Sequence, residues 1–236
     1  MVIKYRRILI KLSGEAIGER GKGVSTERIA YISDEIAQVA RQGVSIGLVI
    51  GAGNIFRGQK IIEELKIERV VADQVGMLST MINALVFQEV LNSKKIPTKI
   101  LSALDVPQLA EVYTPQKAWH YMDRGRCVIF AGGTGNPFFT TDTAAALRAA
   151  EIKAEVLIKS TKVDGVYDKD PEKYPEAKIF NELSYLQVLN LRLQVMDATA
   201  ISLCQENNIP ILVHNIFKPG NLMDVITEDN IGTIIK

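Results

Sequence analysis

Two lysines stand at the ends of apolar runs, where a lone charge is costly. Lys11 lies near the end of the run Ile8 to Leu12, and Lys159 ends the run that begins at Val156. An ammonium group at the end of a buried strand costs free energy unless an anion lies beside it. We therefore favour a functional role for both lysines over a solvated surface charge.

Three loops rich in small residues follow predicted strands. They are Ser13-Gly14, Gly51-Ala52-Gly53-Asn54 and Gly132-Gly133-Thr134-Gly135-Asn136. Glycine permits positive φ and leaves backbone N–H groups free to face phosphate oxygens, an effect that a following helix reinforces. One such loop is weak evidence, because a glycine after a strand is most often only a tight turn. Three loops at one sheet edge, with Arg57 nearby, indicate a phosphorylated ligand.

Three aspartates lie close to predicted helix starts, and each has two interpretations. Asp142 follows the third loop and Asp197 precedes a helix; either carboxylate could cap its helix or act beside bound phosphates. Asp73, near the start of a long helix, suits either a ribose hydroxyl or the helix dipole. The residues alone leave these alternatives open.

Familiar catalytic motifs are absent or misplaced. Neither G-x-x-x-x-G-K-[ST] nor G-x-G-x-x-G occurs, which disfavours a P-loop enzyme and a dinucleotide fold. The segment Gly43 to Gly47 matches G-x-S-x-G, but Ser45 begins a predicted strand after a helix. A hydrolase needs that serine on a strand-turn-helix elbow, so we interpret the match as chance.

Composition excludes further classes of protein. The 28 Lys plus Arg nearly balance 27 Asp plus Glu, for a formal net charge of +1, so no generic nucleic-acid binder is predicted. His120 and His214 have no partner at metal-ligand spacing, and packing or surface roles suit them better than catalysis. Cys127 and Cys204 lie far apart in apolar surroundings, which predicts neither a disulfide framework nor a zinc site.

The same composition bears on where the protein works. The two unpaired cysteines suit a reducing cytoplasm. No uncharged run reaches the roughly 18 apolar residues of a membrane helix, so no membrane association is predicted. The apolar run after the basic N-terminal residues stops at Lys11, which is too short for a secretion signal.

Short apolar runs alternate along the chain with segments of helical period. Predicted strands cover residues 8–12, 44–50, 98–101, 127–131, 156–159 and 211–215. One predicted helix starts at residue 27, and four others cover about 70–93, 115–124, 141–150 and 198–207. This alternation predicts an α/β fold with a mostly parallel sheet and crossover helices. No linker or repeat interrupts it, so we expect one domain over residues 1–236.

Longer motifs resemble the amino acid kinase superfamily. They are Lys11-Leu12-Ser13-Gly14-Glu15-Ala16 and Gly51-Ala52-Gly53-Asn54 with Phe56-Arg57-Gly58. The run TGNPFFTTD, Thr134 to Asp142, resembles specifically the bacterial UMP kinases within that superfamily. Further agreement comes from Asp73 with Gly76-Met77-Leu78, from Lys159 to Val166 and from Met196-Asp197, so the resemblance extends over essentially the whole chain.

The resemblance implies a three-layer αβα sandwich and the transfer of the γ-phosphoryl group of Mg-ATP to UMP, in pyrimidine nucleotide biosynthesis. It implies a catalytic role for Lys11, Asp142, Lys159 and Asp197. The implied ATP contacts are Lys11, Leu12, Ser13, Gly14, Gly53, Arg57, Thr161, Tyr167 and Asp170. The implied UMP contacts are Ala52, Asp73, Thr134, Gly135, Asn136, Pro137, Phe138, Phe139, Thr140 and Thr141.

Assembly and regulation also follow from the resemblance alone. It implies a homohexamer with GTP as activator and UTP as inhibitor, and Glu19 to Val24 corresponds to the region linked to GTP activation. One departure is Ala52, where the family usually has the middle of three glycines; its Cβ restricts the backbone next to the implied UMP contact.

The implied chemistry suits the residues present. A phosphate monoester has a second pKa near 6, so UMP is mostly a dianionic nucleophile at pH 7 and needs no general base. Phosphoryl transfer needs alignment and cations, which Lys11 and Lys159 would supply, with Asp142 and Asp197 orienting the lysines or Mg²⁺-bound water.

Two alternatives remain. One is another kinase of the superfamily, acting on a carboxylate or carbamate, against which the TGNPFFTTD run argues. The other is a nucleotide-binding storage or regulatory protein that keeps the fold without turnover, because side-chain identity alone does not prove catalysis.

Overall fold

A nine-stranded sheet forms the centre of the molecule. The structure, a computed structural model, describes residues 2–18, 23–56, 62 and 66–236. The strands are β1 (Arg7–Leu12), β2 (Ser45–Ile50), β3 (Thr98–Ser102), β4 (Glu111–Val112), β5 (Cys127–Ala131), β6 (Val156–Thr161), β7 (Val166–Tyr167), β8 (Ile179–Phe180), β9 (Glu182–Leu183), β10 (Ile211–Asn215) and β11 (Thr233–Ile235). The sheet has the order β4-β3-β5-β2-β1-β6-β10-β11-β9, while β7 and β8 pair separately. Its one antiparallel pair among the described residues is β10–β11.

Helices cover both faces of this sheet. They are α1 (Gly14–Ile17), α2 (Thr26–Ala40), α3 (Arg69–Ser93), α4 (Pro115–Met122), α5 (Thr141–Glu151), α6 (Tyr185–Asn190), α7 (Ala198–Glu206) and α8 (Asn221–Thr227). One apolar core lies under α2, α3 and α8, and a second lies under α4 to α7. Alternate residues of β1 point into the two cores, Ile8 and Ile10 into the first and Leu9 into the second. The three-layer αβα prediction is confirmed.

The predicted long elements are all present, within a few residues at their ends. Ser25 caps α2 as predicted, since its hydroxyl accepts the N–H of Arg28. Helix α2 ends at Ala40, before the glycine expected to stop it, and Gly43 instead takes a φ of +79° in the turn to β2. The elements that sequence patterns missed have two to seven residues, too few for a hydrophobic period to be recognised.

Helix α3 is unusually apolar. Among the described residues it is the one helix long and apolar enough to cross a membrane by length and composition. A core helix of a soluble protein meets the same criterion, and Phe87 and Leu91 of α3 are fully buried against the sheet. We therefore interpret α3 as part of a covering layer. Its outer face leaves Leu78 and Ile82 about half exposed.

The strand order reverses direction at β1. Its neighbours are β2, which leads towards one edge of the sheet, and β6, which leads towards the other. In open parallel sheets such a switch point opens a crevice at the carboxyl ends of the strands. Lys11 pairs in register with Lys159, and Leu12 pairs with Ile50, so both lysines and the second glycine loop reach this crevice.

Candidate active site

Two lysines share one carboxylate at the switch point. Lys11 Nζ lies 2.8 Å from Asp142 Oδ1, and Lys159 Nζ lies 3.1 Å from Asp142 Oδ2. Lys159 also donates to the carbonyl oxygen of Val195. All three charged side chains are largely buried, between 8% and 16% exposed. This group is called the charge cluster below.

The charge cluster carries more positive than negative charge. Burial alone would raise the pKa of Asp142, but the charges of Lys11 and Lys159 outweigh it and hold the pKa of that carboxyl below its ordinary value. Burial, followed by the neighbouring charge of Lys11, lowers the pKa of Lys159. Within the cluster two ammonium groups share one carboxylate, so both are held at one point where an anionic ligand would be attracted.

Helix α5 presents Asp142 to the lysines because another residue caps it. The hydroxyl of Thr140 accepts the N–H groups of Asp142 and Thr143, at 3.0 and 3.4 Å. The carboxylate of Asp142 is thereby free to face the lysines. Of its two sequence interpretations, the capping role is wrong.

Asp197, unlike Asp142, caps the helix that follows it. Its carboxylate caps α7 by accepting the N–H of Ala200 at 2.9 Å. It also accepts hydroxyl hydrogen bonds from Thr140 at 2.5 Å and Thr143 at 2.9 Å, so it ties the starts of α5 and α7 together. Its negative charge raises the pKa of Lys159 against the larger effect of burial, which is its link to the charge cluster.

Backbone contacts join the first two glycine loops. A Cβ at Gly14 would lie 2.3 Å from the backbone nitrogen of Gly53, so only glycine fits there. Gly51 donates its N–H to the carbonyl of Leu12 at 2.8 Å. Ala52 does not have a positive φ, so its Cβ is accommodated without backbone strain.

A cavity of about 290 Å³, here called the loop cavity, opens between helix α3 and the second and third glycine loops. Of the ten predicted UMP contacts, seven line it: Ala52, Asp73, Thr134, Asn136, Phe139, Thr140 and Thr141. Three others, Gly135, Pro137 and Phe138, belong to the same loop but do not line the cavity. Gly53, predicted to contact ATP, lines this cavity instead.

Asp73 holds the tip of the third loop. Its carboxylate accepts the N–H of Phe138 at 2.7 Å and lies 3.5 Å from Arg69 Nε. Phe138 has a φ of +72°, which a bulky residue rarely adopts and which the bond to Asp73 stabilises. Asp73 thus has a loop-holding contact that neither of its sequence interpretations included.

Two larger cavities both reach Lys159 of the charge cluster. The strand-end cavity, about 1020 Å³, is lined by Ser13, Lys159 and Thr161 together with residues of α2. The hairpin cavity, about 610 Å³, is lined by Lys159, Thr161, Tyr167 and Asp170. The structure therefore brings together four of the predicted ATP contacts, Ser13, Thr161, Tyr167 and Asp170, around Lys159.

Two other predicted ATP contacts, Leu12 and Arg57, do not line these cavities with a described side chain. The Leu12 side chain is fully buried in the core, so only its backbone faces the crevice. Arg57 lies outside the described residues, as do residues 19–22 of the segment compared with an activation region.

Several residues of the site were not among the predicted nucleotide contacts. Phe56, Thr80 and Gly133 line the loop cavity, and the Val195 carbonyl receives a hydrogen bond from Lys159. Gly133 has a φ of +60° and belonged to a recognised loop, so its signal was available. Thr80 carried no signal, because a threonine inside a long apolar helix looks like packing.

Residues judged non-catalytic line none of these three cavities. His214 is fully buried beside Ser160, with its Nε2 2.8 Å from the hydroxyl oxygen, and burial lowers its pKa to about 3. Ser45 begins β2, at the opposite end of that strand from Gly51. Burial raises the pKa values of Cys127 and Cys204 to about 12, so both thiols stay protonated at neutral pH.

One family of proteins matches this combination of sheet, glycine loops and charge cluster. The chain belongs to the amino acid kinase family, whose model matches residues 6–215.

Solved structures of three kinases are similar to this chain over nearly its whole length. The chain is similar to UMP kinase from Bacillus anthracis, with 37% identity over 98% of this chain and 96% of that chain and a TM-score of 0.95. It is similar to UMP kinase from Ureaplasma parvum, with 36% identity over 98% of each chain and a TM-score of 0.91. Uridylate kinase from Archaeoglobus fulgidus is 27% identical, over 97% of this chain and 99% of that chain, with a TM-score of 0.75. The resemblance read from the motifs is confirmed.

Proposed function

We propose that this chain transfers the γ-phosphoryl group of ATP to UMP, giving ADP and UDP. The observation that carries the proposal is the charge cluster, which adjoins the loop cavity and both of the larger cavities. Thr141, next to Asp142, lines the loop cavity, and Lys159 lines both of the others. The similar solved structures named as UMP kinases support uridine monophosphate as the acceptor.

In this proposal UMP occupies the loop cavity and the ATP phosphates reach the charge cluster from the strand-end cavity. A phosphate oxygen of UMP forms a bond to the γ-phosphorus of ATP as the bond to the β,γ-bridging oxygen breaks, and ADP leaves. UMP is already mostly dianionic at pH 7, so no base is required. Lys11 and Lys159 stabilise the negative charge on the transferring group, which is the main catalytic effect in phosphoryl transfer.

The two carboxylates have different parts in this mechanism. Asp142 fixes both ammonium groups in position, so that they do not have to be ordered when substrate arrives. Asp197 acts one step further away, because its oxygens are occupied by two threonine hydroxyls and an N–H group. We propose it as a positioning residue for α5 and for Lys159.

Mg²⁺ is proposed to enter with ATP. Within the described residues no three His, Cys, Asp or Glu side chains converge as a metal site. This suits Mg²⁺, which keeps several waters and is usually held through substrate phosphates with only one or two carboxylates. Asp142 and Asp197 could orient water bound to the ion, and when bound the ion would neutralise phosphate charge.

Several further properties are proposed from family likeness, with one structural observation behind them. We propose that the whole chain acts as one cytoplasmic domain in pyrimidine nucleotide biosynthesis and that copies assemble into a homohexamer. The exposed apolar residues on the outer face of α3 support self-association. GTP activation and UTP inhibition are proposed from the resemblance alone.

The test is ADP release from Mg-ATP by the purified protein with UMP, CMP, dUMP, AMP or an acidic amino acid as acceptor. We expect turnover with UMP and little with AMP or amino acids. Turnover with an amino acid and not with UMP would favour another kinase of the superfamily. ATP binding without turnover on any acceptor would favour a non-catalytic nucleotide binder.

A further inference from the structure

Two polar side chains on the inner face of α3 bond to the backbone of two different glycine loops. Thr80 and Asn83 lie three residues apart, on the same face of the helix, and are 4% and 0% exposed. Polar groups buried at that depth cost free energy unless they are hydrogen-bonded, so their partners indicate what they are for.

Asn83 holds the second loop. Its amide nitrogen donates to the carbonyl of Gly51 at 2.8 Å and to Asn54 Oδ1 at 2.9 Å. Asn54, also fully buried, returns a hydrogen bond to Asn83 Oδ1 at 3.1 Å. Both ends of the segment Gly51 to Asn54 are therefore tied to α3, and the two residues between them, Ala52 and Gly53, line the loop cavity.

Thr80 holds the third loop. Its hydroxyl accepts the N–H of Gly132 at 2.9 Å and donates to the carbonyl of Met77 at 2.7 Å. Gly132 has a φ of +78° and is followed by Gly133 and Thr134, which line the loop cavity. The backbone of this loop thus leaves the sheet from a point that a side chain of α3 fixes.

We propose that Thr80 and Asn83 are positioning residues that set the spacing of the two glycine loops around the acceptor nucleotide. This inference rests on the proposed function, since it identifies the loop cavity with the UMP site. A fully satisfied buried network holds its members in one geometry. A displacement of about 1 Å at such a site can cost about 100-fold in rate, so side chains that hold the loop backbones can control the reaction without taking part in its chemistry.

The test compares two variants at one position. Thr80→Val keeps the shape of the side chain and removes the hydroxyl, whereas Thr80→Ser keeps the hydroxyl. Ser79→Ala is the matched control, because the Ser79 hydroxyl is buried at the next position and donates within the helix, to the Val75 carbonyl. Asn83→Ala tests the other loop. KM for UMP, KM for ATP and kcat are measured, with thermal unfolding of each variant.

Thr80→Val is expected to raise KM for UMP by about fivefold or more while KM for ATP stays within about twofold, since one hydrogen bond is lost at the acceptor side. Asn83→Ala is expected to act in the same direction and more strongly. Thr80→Ser should restore KM for UMP to within about twofold of the parent, and Ser79→Ala should leave it unchanged. A purely structural role would lower thermal stability without this split.

A second readout does not depend on the substrate. Hydrogen–deuterium exchange of segments 51–56 and 131–136 should speed up in Asn83→Ala and Thr80→Val respectively, but not in Thr80→Ser. If the parent protein releases no ADP with UMP, the proposed function fails while exchange still tests the positioning role. The inference is overturned if folded Thr80→Val keeps the parent KM for UMP and exchange, or if Thr80→Ser behaves like Thr80→Val.

Discussion

Lysines near the ends of buried strands are informative residues because their burial has to be compensated. Lys11 and Lys159 could be predicted as functional on that ground, and the structure places them side by side on β1 and β6. The role of Asp142 could not be predicted. Thr140, Thr141 and Asp142 can all cap a helix, and only the three-dimensional path of the chain decides which oxygen meets the first N–H groups.

His214 illustrates a titratable residue that supports the fold rather than the reaction. Burial holds its pKa at about 3, against 6.5 for an ordinary histidine. Below pH 6.5 the unfolded chain therefore binds a proton that the folded chain does not, and folding stability falls with pH until pH approaches 3.

We predict that this residue makes the protein sensitive to mild acid. His214→Gln should reduce the loss of unfolding free energy between pH 6 and pH 4 by up to about 1.4 kcal/mol per pH unit, measured by urea denaturation. His120→Gln is the control, because His120 is exposed. Equal slopes for the parent and His214→Gln would contradict the assignment.

At the scale of elements, the site depends on loops that pack backbone to backbone. The three loops could be predicted from glycines after apolar runs, because a parallel sheet gathers the carboxyl ends of its strands at one edge. Their contact with α3 could not be predicted, since Thr80 and Asn83 lie in an apolar helix with no local motif. Element α1 was missed for a related reason: its four residues are too few to show a helical period.

We predict that the contact between the first two loops has no room for an added methyl group. Gly14→Ala places a Cβ against the backbone of Gly53, at 2.3 Å, so the loops must shift. Such overpacking is expected to cost about 1–3 kcal/mol of stability and most of the activity. Chemical denaturation and ADP release are the measurements.

Gly53→Ala is the matched control for stability, because a Cβ there meets its nearest neighbour at 4.0 Å. Its unfolding free energy should stay within about 1 kcal/mol of the parent. A Gly14→Ala protein as stable as Gly53→Ala would mean that the loops are not tightly joined.

For the whole molecule, the two faces of α3 have separate parts. The inner face holds the site, and the outer face exposes Val71, Leu78 and Ile82, which are 46%, 51% and 49% exposed. Apolar residues at this helical spacing form a stripe suited to a second copy of the chain. The three-layer fold could be predicted from alternating elements, but the apolar pattern of α3 could not distinguish residues that face the core from residues suited to a second copy.

We predict that Ile82→Glu lowers the molecular mass of the assembly in solution, measured by light scattering, without reducing the helix content. A buried charge at an apolar contact is costly, while the same residue is tolerated on an exposed surface. Leu186→Glu is the control, since Leu186 is 57% exposed on α6 in the opposite helical layer. An unchanged mass for Ile82→Glu would show that α3 is not the contact.

We propose that Lys11 and Lys159, held by Asp142 at the switch point, form the centre of phosphoryl transfer. The rate of UDP formation from Mg-ATP and UMP in Lys11→Met tests this role. We predict a kcat at least about 100-fold below that of the parent, KM for UMP within about threefold, and an unchanged fold by circular dichroism. A kcat within about tenfold of the parent would mean that Lys11 is not part of the catalytic centre.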